Sequence, residues 1–335
     1  MSQPLVRYSS FWRGEGDFQD ILLSSAVEMR RNLKAYPFRG RMSGDERDDL
    51  IRRCSEHVHS LRQPGDGAES DYELDLSLFR EQALLAADTP FDLGILAGEQ
   101  CAVALGGPSH ISICHAFSDG KFYSAFNILD SLDDRVSECG AYAFDEKTGF
   151  LFDNPAECGT GFSARALLHL PALAMSNAHD EVRSVCAGFE VAVSPYPSAQ
   201  SLPLFVLSTK NIPGESEQEF CANILGAIGA LARLERESRD SHYAKYRLQL
   251  EDLSWRSYGL LRSARMISWS EAAEYLFNMR MGTILHILDS VKSEQLCRLV
   301  FETTDAFLRR FCGDDTSSDN TVRADMIRRA LNKEQ

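Results

Sequence analysis

No stretch of this sequence stays apolar for the roughly 20 residues that a membrane-spanning helix needs. The opening MSQPLVRYSSFWRGEGD also lacks the basic-then-apolar pattern of a secretory leader. Basic charge is scarce: 35 Lys and Arg stand against 49 Asp and Glu, a net charge of −14. A nucleic-acid partner would require a basic stripe to neutralise its backbone, and an acidic membrane surface would require a basic patch, so both are set aside. The nine cysteines are scattered, odd in number and without a C-x-x-C pair, which excludes a disulfide framework. They read as reduced thiols in a cytoplasmic protein. Cys114-His115 and His57-x-His59 are isolated pairs, too few for a zinc site. Internal repeats and low-complexity segments are absent, so a solenoid is excluded.

What is present is an ordinary globular composition, 44% apolar and 25% charged, on a length that supports two hydrophobic cores. The organising stretch runs from Gly149 to Ser176. Phe150-Leu151-Phe152 reads as a short strand, Asp153-Asn154-Pro155 as a loop and Gly159-Thr160-Gly161 as a glycine turn. Ala164, Ala166, Leu167 and Leu168 then read as the start of a helix. Strand, glycine turn and helix start suit an anion, because free backbone N–H groups and the helix dipole face the loop. The same pattern also serves as a plain tight turn between two core elements.

Around this stretch the pattern alternates between helix and strand. Ser43 with Glu46 forms a capping box opening a helix to Leu61, and Leu74 to Ala87 is helical in pattern. Ile95–Ala97 and Cys101–Leu105 read as two strands joined through Gly98-Glu99-Gln100, and Ile111–Cys114 alternates as a third. Lys121 to Cys139 returns to helix, and Phe189–Val193 and Leu204–Leu207 are apolar strands. Ser216 with Glu219 caps a long helix whose stripe is Phe220, Ile224, Leu225, Ile228, Leu231 and Leu234. From Ser241 onward the chain is helical, with Ser270 and Ser293 as caps. Arg30-Arg31 reads as a solvated helix face, and His110 and His169 as hydrogen-bonded structural histidines.

The stretch carrying Pro155, Gly159-Thr160-Gly161, Ala164 and His169-Leu170-Pro171-Ala172-Leu173 resembles the signature of the ATP:guanido phosphotransferases, in the form found in the bacterial protein-arginine kinases. Ser24, Ser25, Arg31 and Asn32 match a second family motif, and Leu234-Glu235-Arg236-Glu237 a third. Leu250-Glu251-Asp252, Arg256-Ser257-Tyr258-Gly259-Leu260-Leu261, Arg265-Met266-Ile267 and Arg280-x-Gly282 resemble the bacterial branch specifically. Arg323-Ala324 sits where that branch ends a phosphoarginine-recognition motif, with Asp319-Asn320 in place of its first two residues.

The resemblance implies an α+β fold, an antiparallel sheet flanked by helices over residues 1–240, followed by an all-helical dimerisation-type domain over 241–335. It also implies where the chemistry would lie. The five phosphate-binding arginines of the family fall on Ala26, Glu28, Ser112, Ser163 and Val191, and its two guanidinium-holding glutamates on Pro108 and Tyr196. The family cysteine falls on Asn154. On this reading the chain is a degenerate homologue, a pseudokinase acting as a binding or regulatory protein. It would need no cofactor and would pair with itself or with a related kinase. The alternative is an ATP- and Mg-dependent protein-arginine kinase using displaced cations, of which Arg30, Arg31 and Arg165 are nearest. An enzyme of other chemistry, built on His110, Cys158 and His169, is the third class. The balance of these expectations lies with a binding protein rather than an enzyme.

Overall fold

The computed structural model describes residues 16–61, 92–96, 101–197, 200–312 and 319–332. The helical pattern over Leu74–Ala87 and the turn at Gly98–Gln100 lie outside the described residues. Nine strands and nine helices follow among those described. The strands are β1 (Leu22–Arg31), β2 (Leu93–Leu96), β3 (Cys101–Leu105), β4 (Ile111–Phe117), β5 (Phe144–Asp145), β6 (Gly149–Phe150), β7 (Phe162–His169), β8 (Val191–Pro195) and β9 (Leu204–Thr209). The helices are α1 (Gly44–Ser60), α2 (Phe122–Ser137), α3 (Pro171–Met175), α4 (His179–Gly188), α5 (Glu217–Ser263), α6 (Trp269–Ile284), α7 (Ser293–Glu302), α8 (Asp305–Cys312) and α9 (Asp319–Asn332).

Seven strands form one antiparallel sheet in the order β2-β3-β4-β1-β7-β9-β8, with β1 at its centre. Helices follow it, so the α+β architecture implied by the resemblance is what the chain adopts. Both faces of the sheet are covered. On one face Val27, Met29, Val103, Ile113, Phe162 and Leu168 pack against α1, α2 and the first half of α5. On the other, Leu23, Ala26, Cys114, Ala116 and Leu167 pack against Leu276, Phe277, Leu296 and Val300 of the C-terminal helices.

Period-two alternation assigns these faces, and one irregularity in β1 sets them. The register shifts between Leu22 and Ser24, so Leu23 and Ala26, three residues apart, share the second core, while Leu22 and Val27 share the first. From there Ala26, Glu28 and Arg30 share the second face, since an extra residue in a strand reverses which side each following residue meets.

Three local expectations give way. Arg30 and Arg31 lie in β1, not on a helix. The Ala- and Leu-rich run after Gly161 is the strand β7, not a helix, because its place between β1 and β9 overrides its intrinsic propensity. Ser268 rather than Ser270 caps α6, and Lys292 precedes α7, whose first residue is Ser293. Both capping boxes, Ser43 with Glu46 and Ser216 with Glu219, are formed. The long helix α5 passes through residue 240 and departs from helical geometry at Tyr246 (φ −125°, ψ 33°).

Candidate active site

The centre of the second sheet face is polar. Glu28 on β1 lies opposite Cys114 of β4 and Ser163 of β7, and Arg30 lies opposite Ser112. Glu28 is only 5% exposed. Its carboxylate accepts from Arg165 Nη2 at 2.8 Å and from the Ser112 hydroxyl. A buried carboxylate without such partners would be strongly destabilising. The donors are incompletely used: Arg165 Nη1 and Ser163 Oγ are buried with no hydrogen-bond partner. An unpaired buried donor costs about 1–3 kcal/mol, so an acceptor arriving between these two side chains would be held.

Arg30 stands one step along the same face. Its guanidinium pairs with Glu157 at 2.6 Å and lies 4.9 Å from the Phe152 ring. Arg31 points the other way and is committed to structure. Its Nε donates to Asp133 at 2.9 Å, its Nη1 to the carbonyls of Arg30 and Thr160, and its guanidinium covers the Phe150 ring at 3.6 Å. Of the three displaced cations, Arg30 and Arg165 therefore share a face with Glu28, and Arg31 does not.

The glycine turn has a different task from the one its pattern suggests. Because the strand β7, and not a helix, follows it, the dipole argument for an anion falls. Gly161 has φ +66°, and a Cβ there would stand 2.6 Å from the Arg30 carbonyl. Its own carbonyl accepts from Arg30 N at 2.8 Å. The glycine thus lets the loop close against the end of β1.

The other positions assigned by resemblance are dispersed. Ala26 lies in the core between sheet and C-terminal helices, and so does Tyr196, at 1% exposure. Val191 lies in the opposite core, and Pro108 is exposed in the β3–β4 connection. The structure thus brings together Glu28, Ser112, Ser163 and, beside them, Ala26, but not Val191, Tyr196 or Pro108. Asn154 caps the 3-10 turn Pro155–Glu157 by accepting from Ala156 N. Cys158 receives a hydrogen bond from Phe152 N at 3.4 Å.

Both histidines are structural, as their sequence setting implied. His110 Nδ1 accepts from Leu33 N, and its Nε2 lies 2.9 Å from the Pro37 carbonyl. Burial is the first cause holding it below the ordinary imidazole range. His169 accepts from Arg280 Nη1 at 2.7 Å and stacks on Phe277. Burial, then the Arg280 charge, keeps it neutral far below the usual value. Sequence reasoning missed this Arg280–His169 pair, as it missed Asp133 and Glu157; each depends on residues more than 100 positions apart. Arg323 is likewise internal: it donates to the carbonyls of Thr303 and Ile267, to Asn320 at 2.7 Å and to Asp305.

With this geometry in place, comparison with known proteins decides the family. The ATP:guanido phosphotransferase C-terminal catalytic domain matches residues 18–238, and the protein-arginine kinase McsB C-terminal domain matches residues 247–335. This chain belongs to the ATP:guanido phosphotransferase family. Among its relatives, the protein-arginine kinase of Moorella thermoacetica is 30% identical over 353 residues, covering 99% of each chain. That of Bacillus subtilis is 28% identical, covering 91% of this chain and 88% of its own. The fold is also shared with a lombricine kinase (TM-score 0.54, 13% identity, 68% of this chain and 70% of that one). The substrate-free duplicated taurocyamine kinase of Schistosoma mansoni superposes with TM-score 0.53 at 17% identity, over 65% of this chain and 34% of that one. These findings correct one expectation. The balance toward a protein that is no enzyme is overturned, because the matched region is the family's catalytic domain and relatives named as protein-arginine kinases align along nearly the whole chain.

Proposed function

We propose that this family member is an ATP-dependent protein-arginine phosphotransferase that works with displaced residues. Arg30 and Arg165 face the nucleotide phosphates, and Glu28 faces the acceptor guanidinium. The observation that carries this reading is the arrangement of Arg165 beside Glu28 on a face shared with Arg30, with one guanidinium nitrogen of Arg165 unpartnered. Phosphoryl transfer asks the protein mainly for positioning and charge neutralisation. A guanidinium must lose a proton as it attacks, and a carboxylate within reach can accept it. Glu28 therefore serves both to orient the acceptor and to take the proton, while ADP leaves. Among the described residues no three His, Cys, Asp or Glu side chains converge to hold a metal ion. That fits a magnesium ion that arrives on the nucleotide phosphates rather than in a protein cage.

The uncharged residues at 26, 112, 163 and 191 make turnover slow, since a transition-state arginine is worth about 10³–10⁵ in rate. A second reading, a regulatory partner of a related arginine kinase, is favoured by the Glu28–Arg165 pair, which fills the centre of the face from within. The division at about residue 240 and the cytoplasmic setting belong to the same proposal, as does self-pairing through the C-terminal part. Tyr246, Leu248, Leu253, Trp255 and Leu260 of α5 are exposed and available for it.

The deciding experiment supplies γ-labelled ATP and an arginine-rich protein to the purified full chain. Acid-labile label on arginine, lost in Arg165→Ala, is the expected result. Label no greater than in a protein-free blank overturns the kinase reading and leaves the regulatory one.

A further inference from the structure

Apart from the sheet face, the molecule brings two thiols together. Cys54, on the last turns of α1, and Cys139, just past the end of α2, lie 85 positions apart with their sulfurs 3.8 Å from one another. Both are buried. We infer that Cys54 and Cys139 are a redox modification site, closing to a disulfide when the protein meets a peroxide.

The geometry is prepared on both sides of the pair. His57 Nε2 of α1 lies 2.9 Å from the Arg135 carbonyl of α2, and Arg135 donates to the Leu61 carbonyl. These bonds fix the helix ends that carry the two cysteines. A disulfide requires sulfurs about 2.05 Å apart, so side-chain rotation of less than 2 Å joins them without separating the helices. Cys101, Cys114, Cys158, Cys186, Cys221 and Cys297 are buried or half-buried at other places in the fold.

The two thiols are also unequal. The two sulfurs are within hydrogen-bond contact and either can donate; this contact, with the Arg53 guanidinium nearby, holds the Cys139 thiol below its ordinary range against the effect of burial. The same contact, with burial added, pushes Cys54 up. Cys139, the less deeply buried of the two at 4% against 0% exposure, is the attacking sulfur, since the thiolate is the nucleophile. Its thiolate attacks one oxygen of hydrogen peroxide, the O–O bond breaks, and the hydroxide released takes the thiol proton as water. The Cys54 sulfur then attacks the Cys139 sulfenic acid, the S–O bond breaks, and a second water leaves with the Cys54 proton. Two thiols lose two protons and two electrons, and one peroxide takes them up to become two waters. A dithiol reverses the step by exchange.

The consequence reaches the candidate site. The helix α2, anchored by this cross-link, carries Asp133, which holds Arg31 at 2.9 Å, and Arg31 holds the Thr160 carbonyl of the glycine turn. Oxidation thus stiffens the support behind Arg30.

The test uses the native full chain, treated with equimolar hydrogen peroxide, alkylated, digested without reductant and mapped by mass. A Cys54–Cys139 cross-linked peptide two hydrogens lighter than its parts is expected, absent in Cys54→Ser and in Cys139→Ser. The melting temperature should rise by several degrees and return on adding dithiothreitol. Alkylation of both cysteines after peroxide, sulfinic acid at either one without the cross-link, or cross-links at other cysteines instead overturns the inference. The wild-type map decides even where a serine variant fails to fold.

Discussion

Arg165 donates from Nη2 to Glu28 at 2.8 Å, from β7 to β1 across the centre of the sheet, and its Nη1 has no partner. The pair is therefore half of a charge arrangement that a bound anion would complete. Glu28→Gln keeps the shape and removes the negative charge. On the proposed mechanism it loses about 10²–10⁴ in arginine labelling, the span of general base contributions. Arg165→Ala loses at least as much. Equal labelling by wild type and both variants would detach this pair from the chemistry.

Arg31 is the contrasting case, because its contacts are internal. Breaking a buried ion pair by removing one partner costs about 3–5 kcal/mol. Arg31→Ala should lower unfolding stability by about that amount and leave Asp133 uncompensated. Urea titration of the two proteins measures it; a loss below about 1 kcal/mol would contradict the packing described.

Glu302 makes stability depend on pH. Burial raises its carboxyl from 4.5 to about 7, against the lowering effect of Arg298. The folded state then binds its proton more tightly than the unfolded chain does. The contribution is full below about pH 4.5 and is lost as pH rises through about 7. The shift corresponds to about 3 kcal/mol. Urea midpoints at pH 5 and pH 8 should therefore differ more in wild type than in Glu302→Gln; identical differences would show that the group does not titrate in this window.

Assembly is tested on the full chain. Truncation near residue 240 would cut α5 and uncover Ala26, Ala116 and Leu167, which the C-terminal helices cover. Trp255→Glu and Leu253→Glu, both at exposed positions, are gentler. A dimer by light scattering that becomes a monomer in these variants is the expected outcome. Dimers that persist in both place the contact elsewhere.

By itself the sequence determined the elements whose signals are local. Ser43 with Glu46 and Ser216 with Glu219 define helix starts within four residues, and the stripe Phe220, Ile224, Ile228 and Leu231 defines the buried face of α5. The family signature was legible for the same reason, as a contiguous run of residues. Only the tertiary structure decided that the run after Gly161 is a strand, since Ala164, Ala166 and Leu168 favour a helix until β1 and β9 flank them. It alone decided which of three arginines faces Glu28. Adjacent residues on a strand point to opposite faces, and the irregularity between Leu22 and Ser24 sets the phase. Arg30 and Arg31 are neighbours in sequence and lie on opposite sides of the sheet.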